Sequence, residues 1–166
     1  ANTGSVLFNA DPMILNITTV NPSGEYNADS NIDITMEFIE NVFVDGSPLI
    51  YLNTGTEDAA AVYSSGSGTK ILTFVYDIVE SDSIDNLTYT AENALSLNGG
   101  QINDANGNSA NLILPLPGEE NSLSANRTIV LDNFAPYVSS VSAESGTWKL
   151  GESRYVFVDF NENIVT

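Results

Sequence analysis

Cysteine and histidine are absent from this 166-residue chain, and bases are scarce: four Lys and Arg stand against 22 Asp and Glu. Without Cys there are no disulfides, no thiolate-bound metals and no thiol nucleophile. Without His the usual general base and the usual zinc ligand are gone. The formal charge is −18, and residues 1–69 contain no Lys or Arg. Phosphate backbones and anionic lipid surfaces are recognised by clustered bases, so nucleic acid and acidic membranes are excluded as partners. No apolar run approaches the roughly 20 residues of a membrane-spanning helix, which argues against membrane insertion. The acids are dispersed and 42% of the residues are hydrophobic, too many for a disordered chain. Such a charge suits a salty medium or bound divalent cations, because either relieves self-repulsion.

What the chain does contain is alternation. Ile32, Ile34, Met36 and Phe38 point one way while Asp33, Thr35 and Glu37 point the other, the pattern of a half-buried strand. Leu72, Phe74, Tyr76 and Ile78 repeat it, as do Leu87, Tyr89 and Ala91. Turn clusters separate these runs, among them Asn21-Pro22-Ser23-Gly24, Asp45-Gly46-Ser47-Pro48 and Ser64-Ser65-Gly66-Ser67-Gly68. Short strands with regular turn signals predict an all-β protein with an immunoglobulin-like β-sandwich fold. The strands are expected at 13–20 (A), 31–39 (B), 48–53 (C), 59–64 (D), 70–79 (E) and 86–91 (F). A return strand is expected at 111–116 and a last one at 128–132. Residues 92–103 are expected to add an edge strand or hairpin arm, and 117–127 a long loop.

The chain also repeats itself. Phe8-Asn9-Ala10-Asp11-Pro12-Met13-Ile14 returns as Asp132-Asn133-Phe134-Ala135-Pro136-Tyr137-Val138, with Pro12 and Pro136 separated by a period of 124 residues. After a two-residue deletion, Gly24-x-Tyr26 corresponds to Gly146-x-Trp148. Ile34-x-x-x-Phe38-x-Glu40-Asn41-Val42 then corresponds to Val156-x-x-x-Phe160-x-Glu162-Asn163-Ile164. Residues 1–11 therefore read as the last strand of a preceding module or a donor strand, 12–133 as a complete module, and 134–166 as the start of a truncated one. A chain that opens at Ala1 inside a module is expected to be a processed piece of something longer. Tandem arrays span distance or present surfaces, which puts a structural or adhesive role ahead of catalysis.

These residues carry a resemblance. Phe38-x-Glu40-Asn41-Val42-Phe43-Val44, Pro48-Leu49-Ile50-Tyr51-Leu52-Asn53-Thr54-Gly55 and Asn98-Gly99-Gly100-x-Ile102-x-Asp104-x-x-Gly107-Asn108 resemble the long immunoglobulin-like, cadherin-like repeats of giant bacterial surface proteins and adhesins. The swimming-associated surface protein of marine cyanobacteria is one member type. The resemblance implies an extracellular scaffold segment on a bacterial cell surface, with neighbouring modules as its partners and a surface glycan or protein as a further one.

One constellation points to a metal. Asp104-x-Asn106-x-Asn108 sets three oxygen donors at alternate positions, as an EF-hand loop begins. The rest of that loop is missing, since position six is Ser109 and position twelve is Pro115. The competing reading is an Asx-rich turn whose side chains bond their own backbone. In a sandwich entered from the top, the B–C loop, the F–G loop and the incoming linker share one end. Glu40 and Asn41 would then meet Asp104, Asn106 and Asn108 there, beside Asn9 and Asp11 of the linker. The expected ligand set is Asp11, Glu40, Asp104, Asn106 and Asn108, with Asn9 beside them, and the expected ion is Ca²⁺, which relieves crowded carboxylates. Asp132, Asn133 and Glu162 begin the same set one period later.

Lesser candidates have plainer readings. Glu80, Asp82 and Asp85 read as a solvated acidic loop or a second face of the junction. Asn16, Asn86 and Asn126 open N-glycosylation sequons, which arise by chance in an Asn- and Thr-rich chain. Tyr26, Tyr51, Tyr63, Tyr76, Tyr89 and Trp148 suit core and rim packing better than sugar stacking. Gly66-Ser67-Gly68 is not a nucleophile elbow, and Lys70 is the one base near it. No enzyme is expected. The rivals to a stalk are a glycan- or protein-binding module and a filament subunit whose strand at 5–9 completes another molecule's sheet.

Overall fold

The computed structural model describes residues 11–55, 58–162 and 164. The described residues are all-β apart from one helical turn. In chain order come β1 (Ile14–Thr19), β2 (Gly24–Tyr26), β3 (Asn31–Asp45), β4 (Leu49–Asn53), β5 (Asp58–Ser65) and β6 (Thr69–Asp77). Four short strands follow, β7 (Ser83–Ile84), β8 (Thr88–Tyr89), β9 (Leu95–Ser96) and β10 (Gln101–Asn103). The helical turn α1 (Leu123–Asn126) precedes β11 (Ile129–Asp132), and β12 (Val138–Ala143) and β13 (Val156–Phe160) close the series. The chain divides into two compact units between Asn133 and Phe134.

In the first unit an antiparallel sheet runs in the order β1-β3-β6-β5-β4-β8, with β10 on β3 and β9 on β4. A smaller sheet runs β2-β11-β7, in which β2 and β11 are parallel. Pairing follows the alternation of the sequence. Ile32, Ile34 and Met36 of β3 lie opposite Tyr76, Phe74 and Leu72 of β6, so the apolar side chains of both strands face one way. Cross-strand apolar pairs of this kind are the unit of sheet stability. Phe38, Ile50, Leu52, Leu87 and Tyr89 join the same buried cluster, and Ile129 and Leu131 of β11 contribute the smaller sheet's share. Tyr63 meets Phe74 edge-on with ring centroids 5.9 Å apart. At the β5–β6 turn Gly66 has φ +108, and a Cβ there would lie 2.0 Å from the Ile71 carbonyl oxygen.

The structure departs from the sequence expectations in five places. Strand β3 continues to Asp45 rather than ending at 39, because a register shift between Glu37 and Val42 re-aims it; its last residues pair with β10. The expected return strand at 111–116 is irregular chain. It holds Pro115 and leads into Pro117, neither of which donates to a ladder. The segment is fastened by single bonds instead, Asn111 N–H to the Pro12 carbonyl at 2.9 Å and Leu114 N–H to the Glu92 carbonyl at 2.8 Å. Strand F shrinks to β8, while β2 arises just after a cluster read only as a turn. The region expected as an edge strand or hairpin arm supplies both β9 and β10.

The second unit is the hairpin of β12 and β13 with its connection. Its register reproduces that of β1 and β3. Ile14↔Phe38, Asn16↔Glu37, Ile17↔Met36, Thr18↔Thr35 and Thr19↔Ile34 pair in the first unit. Val138↔Phe160, Ser140↔Asp159, Val141↔Val158, Ser142↔Phe157 and Ala143↔Val156 pair in the second, and both hairpins skip one residue after the first pair. The bond beyond the strand end is matched as well. Ile39 N–H donates to the Met13 carbonyl at 3.0 Å, and Asn161 N–H to the Tyr137 carbonyl at 3.1 Å.

Candidate functional site

The linker, the end of β3 and the loop after β10 do approach one another. The backbone of Ile39 is bonded to Met13, that of Asn111 to Pro12, and that of Ala110 to Ile102. β10 lies on the far part of β3, with Asn103 opposite Phe43, so Asp104 leaves the sheet close to Val42.

Within this region Asp104 is the centre, and it is only 4% exposed. Its Oδ1 accepts the backbone N–H groups of Asn106 and Asn108, each at 2.8 Å. Its Oδ2 accepts the Asn108 side-chain amide at 2.7 Å and the Asn106 amide at 3.5 Å. Asp104 N–H in turn donates to the Asn108 carbonyl at 2.9 Å. The carboxylate thus closes an Asx turn on itself: both oxygens face N–H donors, which compensates the burial of a charge. The three residues Asp104, Asn106 and Asn108 come together, but as one loop bonded internally.

Glu40 is half-buried within the irregular stretch of β3, and Asp11 is exposed. Asn9 lies outside the described residues. Lys70 reaches the same stretch, its Nζ donating to the Ile39 carbonyl at 2.8 Å. An ammonium therefore already serves a backbone oxygen next to Glu40. Among the described residues no group of three His, Cys, Asp or Glu is placed to hold a metal ion. At the other boundary Asn133 is committed to the first unit: its amide donates to the Asp82 and Val79 carbonyls at 2.8 and 3.1 Å and accepts Ala28 N–H at 2.7 Å.

Two roles were not foreseen. Asp82, grouped with the acidic loop of Glu80 and Asp85, is 2% exposed and accepts the Tyr76 hydroxyl at 2.5 Å and Val79 N–H at 2.9 Å. Glu80 and Asp85 are exposed. Burial, then the Asp82 carboxylate, push ionisation of the Tyr76 phenol far above its ordinary range. Tyr89 donates to the Pro115 carbonyl, and burial pushes its pKa up to about 12. The signal available for Asp82 was its place four residues past Ile78, at the end of a buried apolar alternation.

The sequon asparagines are also structural. Asn126 Nδ2 donates to Asn16 Oδ1 at 2.7 Å and to the Ile17 carbonyl at 2.8 Å, tying α1 to β1. Asn86 Nδ2 donates to the Ser124 carbonyl at 3.0 Å. Since Nδ2 is the atom a glycan would occupy, the fold uses these two amides itself. Ser67 Oγ accepts Val44 N–H at 2.9 Å. Of the aromatic residues, Tyr76 and Tyr89 are core, Tyr51 is exposed, and Trp148 stacks under Arg154 at 4.6 Å. No helix among the described residues is long and apolar enough to cross a membrane. No protein-family model, no curated protein and no solved structure matches this chain.

Proposed function

We propose that the chain is a segment of a tandem array of immunoglobulin-like modules in an extracellular bacterial surface protein, with a mechanical or adhesive role. The observation that carries it is the paired register. The hairpin β12–β13 repeats β1–β3 pair for pair, including the skipped residue, at the spacing found in the sequence repeat. Two unrelated hairpins share a register and a bulge position only by coincidence. The sheet order supports the reading in part: β1-β3-β6-β5 follows the A-B-E-D order of one immunoglobulin sheet, and the same sheet continues through β4 to β8, the counterparts of C and F. The acidic surface without His or Cys suits a solvated spacer better than a catalyst.

Calcium is proposed for the loop after β10, with Asp104 as its carboxylate; among the described residues no group of three acids is placed to hold a metal ion, so Asp11 and Glu40 join it only by rearrangement. Binding requires Asn106 and Asn108 to turn their amide oxygens inward, releasing Asp104 Oδ2 to the ion. Pulling the native protein end to end by single-molecule force spectroscopy tests the array. Equally spaced unfolding events, each releasing about 400 Å of contour for a module of some 124 residues, are expected. A single event of that size contradicts it.

A further inference from the structure

Two Asn-Gly pairs, Asn98-Gly99 and Asn106-Gly107, stand one on each side of β10. In such a pair the glycine nitrogen can attack the asparagine Cγ and expel the side-chain amide, because no second Cβ hinders the approach. Both asparagines and both glycines are exposed, and a Cβ built on either glycine would meet nothing within 4 Å. Exposure and room therefore do not separate the two pairs. Hydrogen bonding does. At the second pair Gly107 N–H donates to the Asp104 carbonyl at 3.2 Å, so the attacking nitrogen is engaged. Asn106 N–H donates to Asp104 Oδ1 at 2.8 Å, and its side-chain amide faces Oδ2 at 3.5 Å. The attack needs an anionic glycine nitrogen, and a carboxylate beside it disfavours that second negative charge.

The first pair lacks these restraints. Leu97 to Gly100 form a turn closed by Gly100 N–H on the Leu97 carbonyl at 2.8 Å. Asn98 and Gly99 have φ of 49° and 79°, as in a type I′ turn, whose third residue keeps its N–H out of the closing bond. The Asn98 side chain is held by one bond, from Nδ2 to the Ser47 carbonyl at 3.2 Å. We infer that Asn98 is a site of spontaneous deamidation, and that Asp104 shields Asn106 from the same reaction. Hydroxide takes the Gly99 amide proton, and the nitrogen forms a bond to Asn98 Cγ. The Cγ–Nδ2 bond breaks and ammonia leaves with a proton from water. Water then opens the cyclic imide at either carbonyl, leaving aspartate or isoaspartate at position 98. The product does not fit the place where it forms. The Ser47 carbonyl loses an amide donor and faces a carboxylate. The isoaspartyl link also adds a backbone carbon to a tightly packed turn: a Cβ on Gly100 would lie 2.2 Å from the Asp45 carbonyl oxygen, and one on Gly46 2.8 Å from Gly100 Cα. Gln101 follows directly and pairs with Asp45, so the reaction loosens the start of β10 on β3.

The test incubates the whole 166-residue chain in mildly alkaline buffer with EGTA, so that no cation competes for Asp104. Each amide is followed by fragment-ion mass spectrometry of proteolytic peptides. Asn98 is expected to react at least tenfold faster than Asn106 in the folded chain, and the two at similar rates in concentrated urea. Asp104→Ala is expected to speed Asn106 at least fivefold and to leave Asn98 unchanged. Asp104→Asn, which keeps one acceptor oxygen without the charge, is expected to fall between. An Asn98 rate that climbs to its urea value marks a variant that has unfolded, and the wild-type ratio in buffer against urea then decides. In the deamidated fraction, amide exchange at Gln101–Asn103 is expected to quicken at least fivefold. Equal native rates, a tenfold ratio that persists in urea, an Asn106 rate indifferent to both folded variants, or unchanged exchange at Gln101–Asn103 would each overturn the inference.

Discussion

The hydroxyl of Tyr76 donates to Asp82 Oδ2 at 2.5 Å, with both side chains inside the first unit. The same oxygen accepts Val79 N–H at 2.9 Å, so one carboxylate ends strand β6 and fixes the turn after it. Asp82→Ala strands a buried phenol and a backbone donor and is expected to cost about 2–3 kcal/mol. Tyr76→Phe removes the donor but keeps the ring, and is expected to cost about 1 kcal/mol. Urea unfolding of both variants checks the order; a larger loss for Tyr76→Phe would show that Asp82 is not the anchor.

Asp104 is expected to matter without calcium. Asp104→Ala removes the acceptor of two backbone and two side-chain donors and should cost about 2–3 kcal/mol in EGTA. Asp104→Asn keeps one acceptor oxygen and should lose less. Saturating Ca²⁺, at about 100 times its dissociation constant, would add roughly 2.7 kcal/mol to the wild type. Thermal melts of both proteins, with EGTA and with millimolar Ca²⁺, separate the two contributions. An Asp104→Ala cost that appears only with Ca²⁺ would make Asp104 a ligand rather than a turn-former.

Alkali should unfold the first unit through its buried phenols. Tyr89 is raised to about 12 by burial, from 10.0, and Tyr76 is raised further. A group whose pKa rises on folding contributes stability that is complete below the unfolded value and is lost as pH climbs through the folded one. Stability is therefore expected to be flat up to about pH 10 and to fall between about 10 and 12. Tyrosinate absorbance read alongside far-UV circular dichroism checks this: ionisation of the last phenols should coincide with loss of strand signal.

Asn126 is expected to act through the fold rather than through a glycan. Asn126→Ala loses the bonds to Asn16 and Ile17 and should cost about 1–2 kcal/mol. Thr128→Ala destroys the same sequon at an exposed side chain and should change stability by no more than about 0.5 kcal/mol. Equal effects of the two substitutions on melting would point to a glycan instead.

The legible part of the fold was the part written in alternation. Ile32 to Phe38 and Leu72 to Tyr76 announce β3 and β6 because one face of each meets the core and the other meets water. Residues 111–116 mislead for the complementary reason: Leu112 and Leu114 alternate well, yet Pro115 removes a donor, and tertiary bonds from Asn111 and Leu114 replace the ladder. The bulge that carries β3 past Glu40 has no mark in composition, and neither does the parallel pairing of β2 with β11. At the loop after β10, the spacing of Asp104, Asn106 and Asn108 marks three residues that bond to one another. Their chemistry was ambiguous in sequence because an Asx turn and an oxygen-rich cation loop use the same residues. Asp82 went unrecognised because a buried acid and a solvated acid look alike until the partner, Tyr76, is in place.

The intact mass of the native protein tests the central claim, a tandem array, most directly. Mass spectrometry of the untagged protein from its source should give a polypeptide longer than this chain, with the 124-residue motif returning in its peptide map. A native polypeptide of 166 residues, with no further copy of the Asn-x-Asp/Ala-Pro junction, would contradict it.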